Sequence, residues 1–146
     1  MKLIMLIYTC LLIAINCNAQ SFSEEPDYST YSLLALVDGW KSYDGIQFIG
    51  LSYYTSLKLV ENDSLFFALM KANPTAYHEW LRNLQGGTFL TWQAQNSVEQ
   101  ILEETKLHKL KELMLMAVEK YIDQAEYKDM ANEIKTKLHK VIIMEP

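Results

Sequence analysis

The chain has 146 residues, half of them hydrophobic, and a formal net charge of -5 at neutral pH. That length suits one domain, and an aromatic content of 12% is enough for a hydrophobic core, which excludes a largely disordered protein. A nucleic-acid binder needs a stripe of basic residues to neutralise phosphates, and the sequence has none, so we predict no nucleic-acid partner. Only five glycines and three prolines are present, which favours long regular elements.

The start of the chain has the order of a secretory signal peptide. Lys2 supplies a positive charge, an apolar run follows, and small residues lead to Ala19. The run covers about thirteen residues, whereas a bilayer-spanning helix needs about twenty. We therefore expect residues 1–19 to be cleaved and the mature chain to have no transmembrane helix. Cleavage would remove Cys10 and Cys17, the two cysteines of the chain, and with them any thiol chemistry.

The leader indicates export to the periplasm of a Gram-negative bacterium. The Ala19-Gln20 junction and the presence of a single arginine, Arg82, favour a bacterial source. The alternative is an outer-membrane lipoprotein that is acylated at Cys17. Asn16 stands where such a signal has a small residue, so simple cleavage is the preferred interpretation.

Hydrophobic periodicity predicts a single all-α domain over residues 29–146, after a flexible, acidic lead-in at 20–28. Apolar residues at spacings of three and four, separated by capping and turn residues, predict four helices in the first half, which begin near Ser29 or Thr30, Ile46, Leu65 and Thr75. The Gly86-Gly87 pair is predicted to end the fourth of them.

The second half of the chain predicts two or three further helices. A capping box begins at Ser97, but the apolar stripe changes phase farther along, so we predict a break or kink near Lys106. The last helix covers residues 127–141, with Glu133 and Lys137 paired one turn apart. The sequence thus predicts six or seven helices in a compact irregular bundle.

A short repeat indicates an alternative architecture. The segment at 105–109, Thr-Lys-Leu-His-Lys, recurs unchanged at 136–140. A period of 31 residues is typical of arrays of helical hairpins, so the alternative is a solenoid-like stack of about three hairpins. Similarity outside the two segments is low, which favours the bundle.

Aromatic residues are concentrated before the last third of the chain. Tyrosine and tryptophan combine a large contact area with a polar group, which suits a surface that binds an apolar ligand, peptide or glycan. We predict a ligand-binding groove that uses four of these residues, Tyr54, Tyr77, Trp80 and Trp92. The competing interpretation is that most of the aromatic residues form the core.

The sequence favours binding over catalysis. Its histidines, His78, His108 and His139, would lie about 10 Å apart in a stack, too far to share one metal ion, so no metal and no cofactor is predicted. We expect an exported module without catalysis that binds a protein or peptide. The alternative is a periplasmic hydrolase or metal-dependent enzyme with its site near His78, Glu79 and Arg82.

Overall fold

The computed structural model describes residues 26–42, 48–90 and 97–143, and these contain six α-helices and no β-strand. The helices are α1 Leu33–Lys41, α2 Phe48–Glu61, α3 Asp63–Ala72, α4 Pro74–Asn83, α5 Ser97–Glu119 and α6 Lys128–Lys140. The predicted all-α bundle is confirmed. None of these helices is both long and apolar enough to cross a membrane. The predicted signal peptide, including Cys17, lies outside the described residues.

The first helix begins later than its predicted cap. Asp27 caps a short 3₁₀ turn, Tyr28–Thr30, through a hydrogen bond from the backbone N–H of Ser29. Ser32 then caps α1 by accepting a hydrogen bond from the backbone N–H of Ala35 at 3.2 Å. The short polar residues near the start of the domain therefore cap a 3₁₀ turn and then α1, in place of a single helix that begins at Ser29 or Thr30.

The Gly86-Gly87 pair does not act as the predicted helix stop. α4 ends at Asn83, and the two glycines lie inside a π-helical turn, Leu84–Thr88. The side-chain amide of Gln85 holds this turn, because it donates to the backbone carbonyl of Ile142 and accepts from the same residue's N–H. Single π turns are rare and occur often at functional sites.

The break predicted as one alternative near Lys106 is wrong, because α5 is one uninterrupted helix; the kink stays a prediction. Its apolar stripe changes phase for a different reason. Ile101 and Leu102 are exposed, while the face from Leu107 onward is buried against the rest of the bundle. The two parts of the helix therefore have different surroundings within one regular backbone.

The repeated segment does not mark successive hairpins. α5 and α6 form one antiparallel hairpin, because Glu119 at the end of α5 pairs with Lys135 in α6 at 2.9 Å, while Lys111 reaches the carbonyl of Val141 beyond α6 at 2.9 Å. The two copies lie on opposite arms of that hairpin. A stack would place them at equivalent positions in neighbouring units.

Aromatic rings form the centre of the core. Trp40, Trp80, Phe66 and Phe67 have essentially no exposed surface. Phe66 meets Trp80 edge to face with ring centroids 5.0 Å apart, and Phe67 stacks on Tyr121 at 4.1 Å. The second of these contacts joins α3 to the connection between α5 and α6, so the hairpin and the first four helices share one core.

Candidate functional site

The middle of α2 carries three fully buried hydroxyl groups, those of Ser52, Thr55 and Ser56. Inside a helix such side chains bond to the carbonyl one turn back. Thr55 Oγ1 accordingly donates to the carbonyl of Leu51 at 2.7 Å, and Ser56 Oγ donates to that of Ser52 at 2.9 Å. The hydroxyl oxygens then remain available as acceptors.

Two buried tryptophans use those acceptors. The indole Nε1–H of Trp40 in α1 donates to Thr55 Oγ1 at 3.0 Å, and that of Trp80 in α4 donates to Ser56 Oγ at 3.1 Å. A buried indole N–H without a partner is costly, so each bond fixes the position of a helix against α2.

Thr88, the last residue of the π turn, completes this arrangement. Its Oγ1 lies 2.8 Å from Ser52 Oγ and 2.9 Å from Ser56 Oγ. One proton assignment satisfies all the contacts: Ser52 donates to Thr88, Thr88 donates to Ser56, and Ser56 donates to the carbonyl of Ser52. We call Ser52, Ser56 and Thr88 the hydroxyl cluster; it fixes the π turn on α2.

A cavity of about 400 Å³ opens beside the hydroxyl cluster, between the 3₁₀ turn, α2, the π turn and α5. Tyr28, Tyr53 and Tyr54 line it, and we call it the tyrosine cavity. The rings of Tyr53 and Tyr54 stand at 84° to each other with centroids 5.3 Å apart. Burial, together with its neighbour Tyr54, raises the pKa of the Tyr53 hydroxyl, so the group stays protonated at neutral pH. Thr88 lines the cavity as well.

The lining also includes charged residues of both signs. Glu103 and Lys106 come from α5, and Asp27 comes from the segment before the 3₁₀ turn. Hydrogen bonds from Ser29 hold the pKa of the Asp27 carboxyl below its usual range, so this group is ionised at neutral pH. The cavity therefore offers aromatic surface together with donors and acceptors.

The structure separates the four residues that the sequence predicts for a binding groove. Tyr54 lines the tyrosine cavity. Trp80 is fully buried, and Tyr77 is buried with its hydroxyl 2.8 Å from the carboxylate of Glu133. Trp92 lies outside the described residues. The prediction of a ligand-binding role for these residues stays a prediction, and Tyr54 is the member with a place in a described cavity.

The sequence pattern missed other lining residues. The four residues predicted for the groove do not include Tyr53, which lies on an apolar stripe of its helix, or Tyr28, which lies in the predicted lead-in. Nothing in the sequence connects Thr88 to Ser52 and Ser56, because that contact forms only when the π turn folds back on α2. The adjacent Tyr53-Tyr54 pair is the one signal that pointed to this surface.

The residues of the alternative enzyme site lie at a second opening, between α4 and α6. Arg82 forms an ion pair with Glu79, and Nδ1 of His78 is 2.7 Å from the carbonyl of Pro74. No three His, Cys, Asp or Glu side chains in the described segments are grouped so that they could hold a metal ion.

The opening between α4 and α6 has a volume of about 530 Å³. His78 and Arg82 line one wall, and Lys137 and Lys140 line the other. We call it the basic groove. Comparison with protein-family models, with curated proteins and with solved structures finds no match to this chain, so the two openings are interpreted from their own geometry.

Proposed function

We propose that this protein is an exported binding module, and that the tyrosine cavity receives an apolar or aromatic side chain of a protein or peptide partner. The observation that supports this most directly is the pair of partly buried rings, Tyr53 and Tyr54, beside a cavity whose wall is fixed by the hydroxyl cluster. Tyrosine contributes contact area at a small cost in side-chain entropy, and a prearranged wall reduces the cost of ordering on binding.

The size and polarity of the cavity favour part of a larger ligand. A volume of about 400 Å³ lies near the lower end of the range for small-molecule pockets, about 300–1,000 Å³. It accommodates one bulky side chain and the backbone on either side of it. Tyrosine hydroxyls and the charged groups Glu103 and Lys106 are suited to hydrogen bonding with that backbone.

Binding is favoured over catalysis because the hydroxyl groups are not activated. A serine or threonine nucleophile needs an adjacent base. Among the described hydrogen bonds of Ser52, Ser56 and Thr88, the partners are hydroxyls, a backbone carbonyl and an indole, and none is a histidine or carboxylate. These contacts include no base that could remove a proton from a hydroxyl group, so we assign the hydroxyl cluster to supporting the cavity wall.

A peptide library tests the proposed site. Heptapeptides displayed on phage are selected on the immobilised mature protein, and the enriched sequences are synthesised and titrated. We expect aromatic or large aliphatic residues in the enriched peptides, and at least about tenfold weaker binding to Tyr54→Ala, because truncation of a central aromatic contact typically costs about 2 kcal/mol.

The control is Leu65→Ala, which truncates an exposed apolar side chain on α3, away from the cavity lining. Its affinity for the peptides should equal that of the unmodified protein. Peptides that bind Tyr54→Ala and Leu65→Ala equally well, or a selection with no enrichment, would contradict the assignment of the tyrosine cavity.

Export is supported by the leader pattern of residues 1–19 and has its own test. N-terminal sequencing and intact-mass measurement of the protein from the periplasmic fraction should give a chain that begins at Gln20. An acylated chain that begins at Cys17 would support the lipid-anchored alternative instead. Protein retained in the cytoplasm with its leader intact would contradict export.

A further inference from the structure

The basic groove carries a local excess of positive charge that the net charge of the chain conceals. Seven basic side chains in the described residues form ion pairs, but Lys137 and Lys140 form none there. The two lysines are three positions apart in α6, so they lie on the same face of the helix. Both line the groove, whereas the chain as a whole has a net charge of -5.

The carboxylates near the groove have other partners. The sequence predicts an ion pair between Glu133 and Lys137, and the structure corrects this, because Glu133 Oε2 accepts a hydrogen bond from the hydroxyl of Tyr77 at 2.8 Å. Glu79 is paired with Arg82. Glu133 lines the groove and keeps its negative charge, but it forms no ion pair with Lys137 or Lys140, so the two lysines still outnumber the acid between them.

A structural role explains only part of this arrangement. Basic residues in the last turn of a helix interact favourably with its dipole, and α6 ends at Lys140. The interaction with the dipole involves α6 alone and gives no reason for the residues that α4 places opposite. Here α4 supplies Arg82 and His78 opposite the lysines, with Leu81 between the two helices. The two lysines of α6 face the Arg82–Glu79 pair and the imidazole of His78 across an apolar residue, and this arrangement forms a channel for an anionic ligand.

The remaining lining residues indicate the kind of anion. Asn132 and Thr136 provide neutral donors and acceptors next to the lysines, which suits the amide groups of a peptide backbone. Arginine is preferred for bidentate contacts with phosphate, but here the guanidinium of Arg82 is already engaged by Glu79. Lysines act as point charges that pair with carboxylates as well as with phosphates, so the choice of a peptide depends on the neutral groups of Asn132 and Thr136. We infer that the basic groove binds an acidic peptide segment of a partner protein.

The test uses a fluorescein-labelled peptide of glutamates around one central leucine, titrated with the mature protein and followed by fluorescence anisotropy. We expect saturable binding that weakens as salt is raised. The double variant Lys137→Gln/Lys140→Gln should bind about 5- to 30-fold more weakly, since an exposed lysine–carboxylate pair contributes up to about a factor of five.

Two controls separate the groove from general charge effects. Lys109→Gln/Lys128→Gln changes the net charge equally at two exposed lysines that line neither opening, so we expect affinity within about twofold of the unmodified protein. Tyr54→Ala should leave this binding unchanged, which keeps the test independent of the tyrosine cavity. Unfolding midpoints by circular dichroism verify that every variant is folded.

Three outcomes would overturn the inference. The first is equal weakening by both double variants, which would mean that overall charge is responsible. The second is an absence of peptide binding at low salt by folded protein. The third is binding of inorganic phosphate without binding of the peptide, which would make the groove a phosphate site.

Discussion

The polar contacts inside the first four helices differ in kind from those that join these helices to the α5–α6 hairpin. Within α1–α4 and the π turn, the buried contacts are neutral: indole N–H groups donate to Thr55 and Ser56, and Thr88 joins the hydroxyl cluster. These bonds are shielded from water, so neither pH near neutrality nor salt should change them.

The contacts between the hairpin and the first four helices use charged groups nearer the surface. Asp63 accepts hydrogen bonds from Tyr121 and Lys120, and Lys71 pairs with Glu126 at 2.9 Å. Pairs of this kind respond to pH and are screened by salt. Both openings lie along this boundary, the tyrosine cavity beside α5 and the basic groove beside α6. Changes in pH or salt should therefore weaken the contacts at the boundary and leave the contacts inside α1–α4 unchanged.

The largest effect is expected from Trp80→Ala in the neutral interior. Trp80 is fully buried, packs against Phe66 and donates to Ser56. Its truncation should lower the free energy of unfolding by about 3–5 kcal/mol, from the lost apolar contact and the cavity left behind. Urea unfolding followed by far-ultraviolet circular dichroism measures this.

Trp80→Phe is the matched control for that change. It keeps most of the apolar volume and removes the indole N–H, so we expect a smaller loss, about 1–2 kcal/mol. Both losses should be the same at pH 6 and pH 8, about one unit either side of neutrality, because no charged group is involved. A loss below about 1 kcal/mol for Trp80→Ala, or a strong dependence on pH, would break the contrast between interior and boundary.

An intermediate effect is expected from Thr88→Val, which removes a hydroxyl from the hydroxyl cluster with little change in volume. Ser52 and Ser56 each lose a buried partner, so the free energy of unfolding should fall by about 1–2 kcal/mol. Thr105→Val is the control, because Thr105 is exposed and its hydroxyl donates to the carbonyl of Ile101 within α5. Its effect should stay within about 0.5 kcal/mol in the same urea titration. Equal effects at the two positions would show that the cluster does not stabilise the fold.

The helices could be predicted because their signals are local. Periodic apolar residues fix a helix and the face that it buries, and a cap or a proline marks its boundary, as at Asn73-Pro74. The π turn could not be predicted, since Gly86-Gly87 is typical of a helix end. The continuity of α5 past Lys106 was missed for a related reason: the exposed Ile101 and Leu102 imitate a buried stripe.

The candidate site was predictable only in part, because aromatic residues suit a core and a binding surface equally well. Tyr54 and Trp80 both lie on apolar helix faces, and only the packing of α4 on α2 decides that Trp80 is inside. The hydroxyl cluster joins residues more than thirty positions apart in the sequence, and no spacing rule connects them. The hydrogen bond from Tyr77 to Glu133 at the basic groove is again a tertiary contact between residues far apart in the sequence.

The smallest effect is expected at the boundary, from Asp63→Asn. Partial burial alone would raise the pKa of Asp63, but hydrogen bonds from Lys120 and Tyr121, with the lysine's charge, hold it below its usual range. The stability that ionised Asp63 adds to the folded protein is therefore complete above about pH 4 and is lost as the pH falls through the lowered pKa. At neutral pH the variant should lose about 0.5–1 kcal/mol, because the pair is partly open to solvent and asparagine still accepts one hydrogen bond.

The alkaline side gives a second, independent measurement of the same contact. Burial and the hydrogen bond to Asp63 raise the pKa of Tyr121 to about 12, so the contribution of this tyrosine is complete below about pH 10 and is lost as the pH rises toward the raised value. In Asp63→Asn the phenolate of Tyr121 should form at lower pH, which ultraviolet absorbance detects. Asp123→Asn removes an exposed acid and should change the pH dependence of stability on neither the acid nor the alkaline side. If both substitutions gave the same pH profile, the charged contacts would not hold the hairpin, and the boundary would depend on apolar packing such as Phe67 on Tyr121 alone.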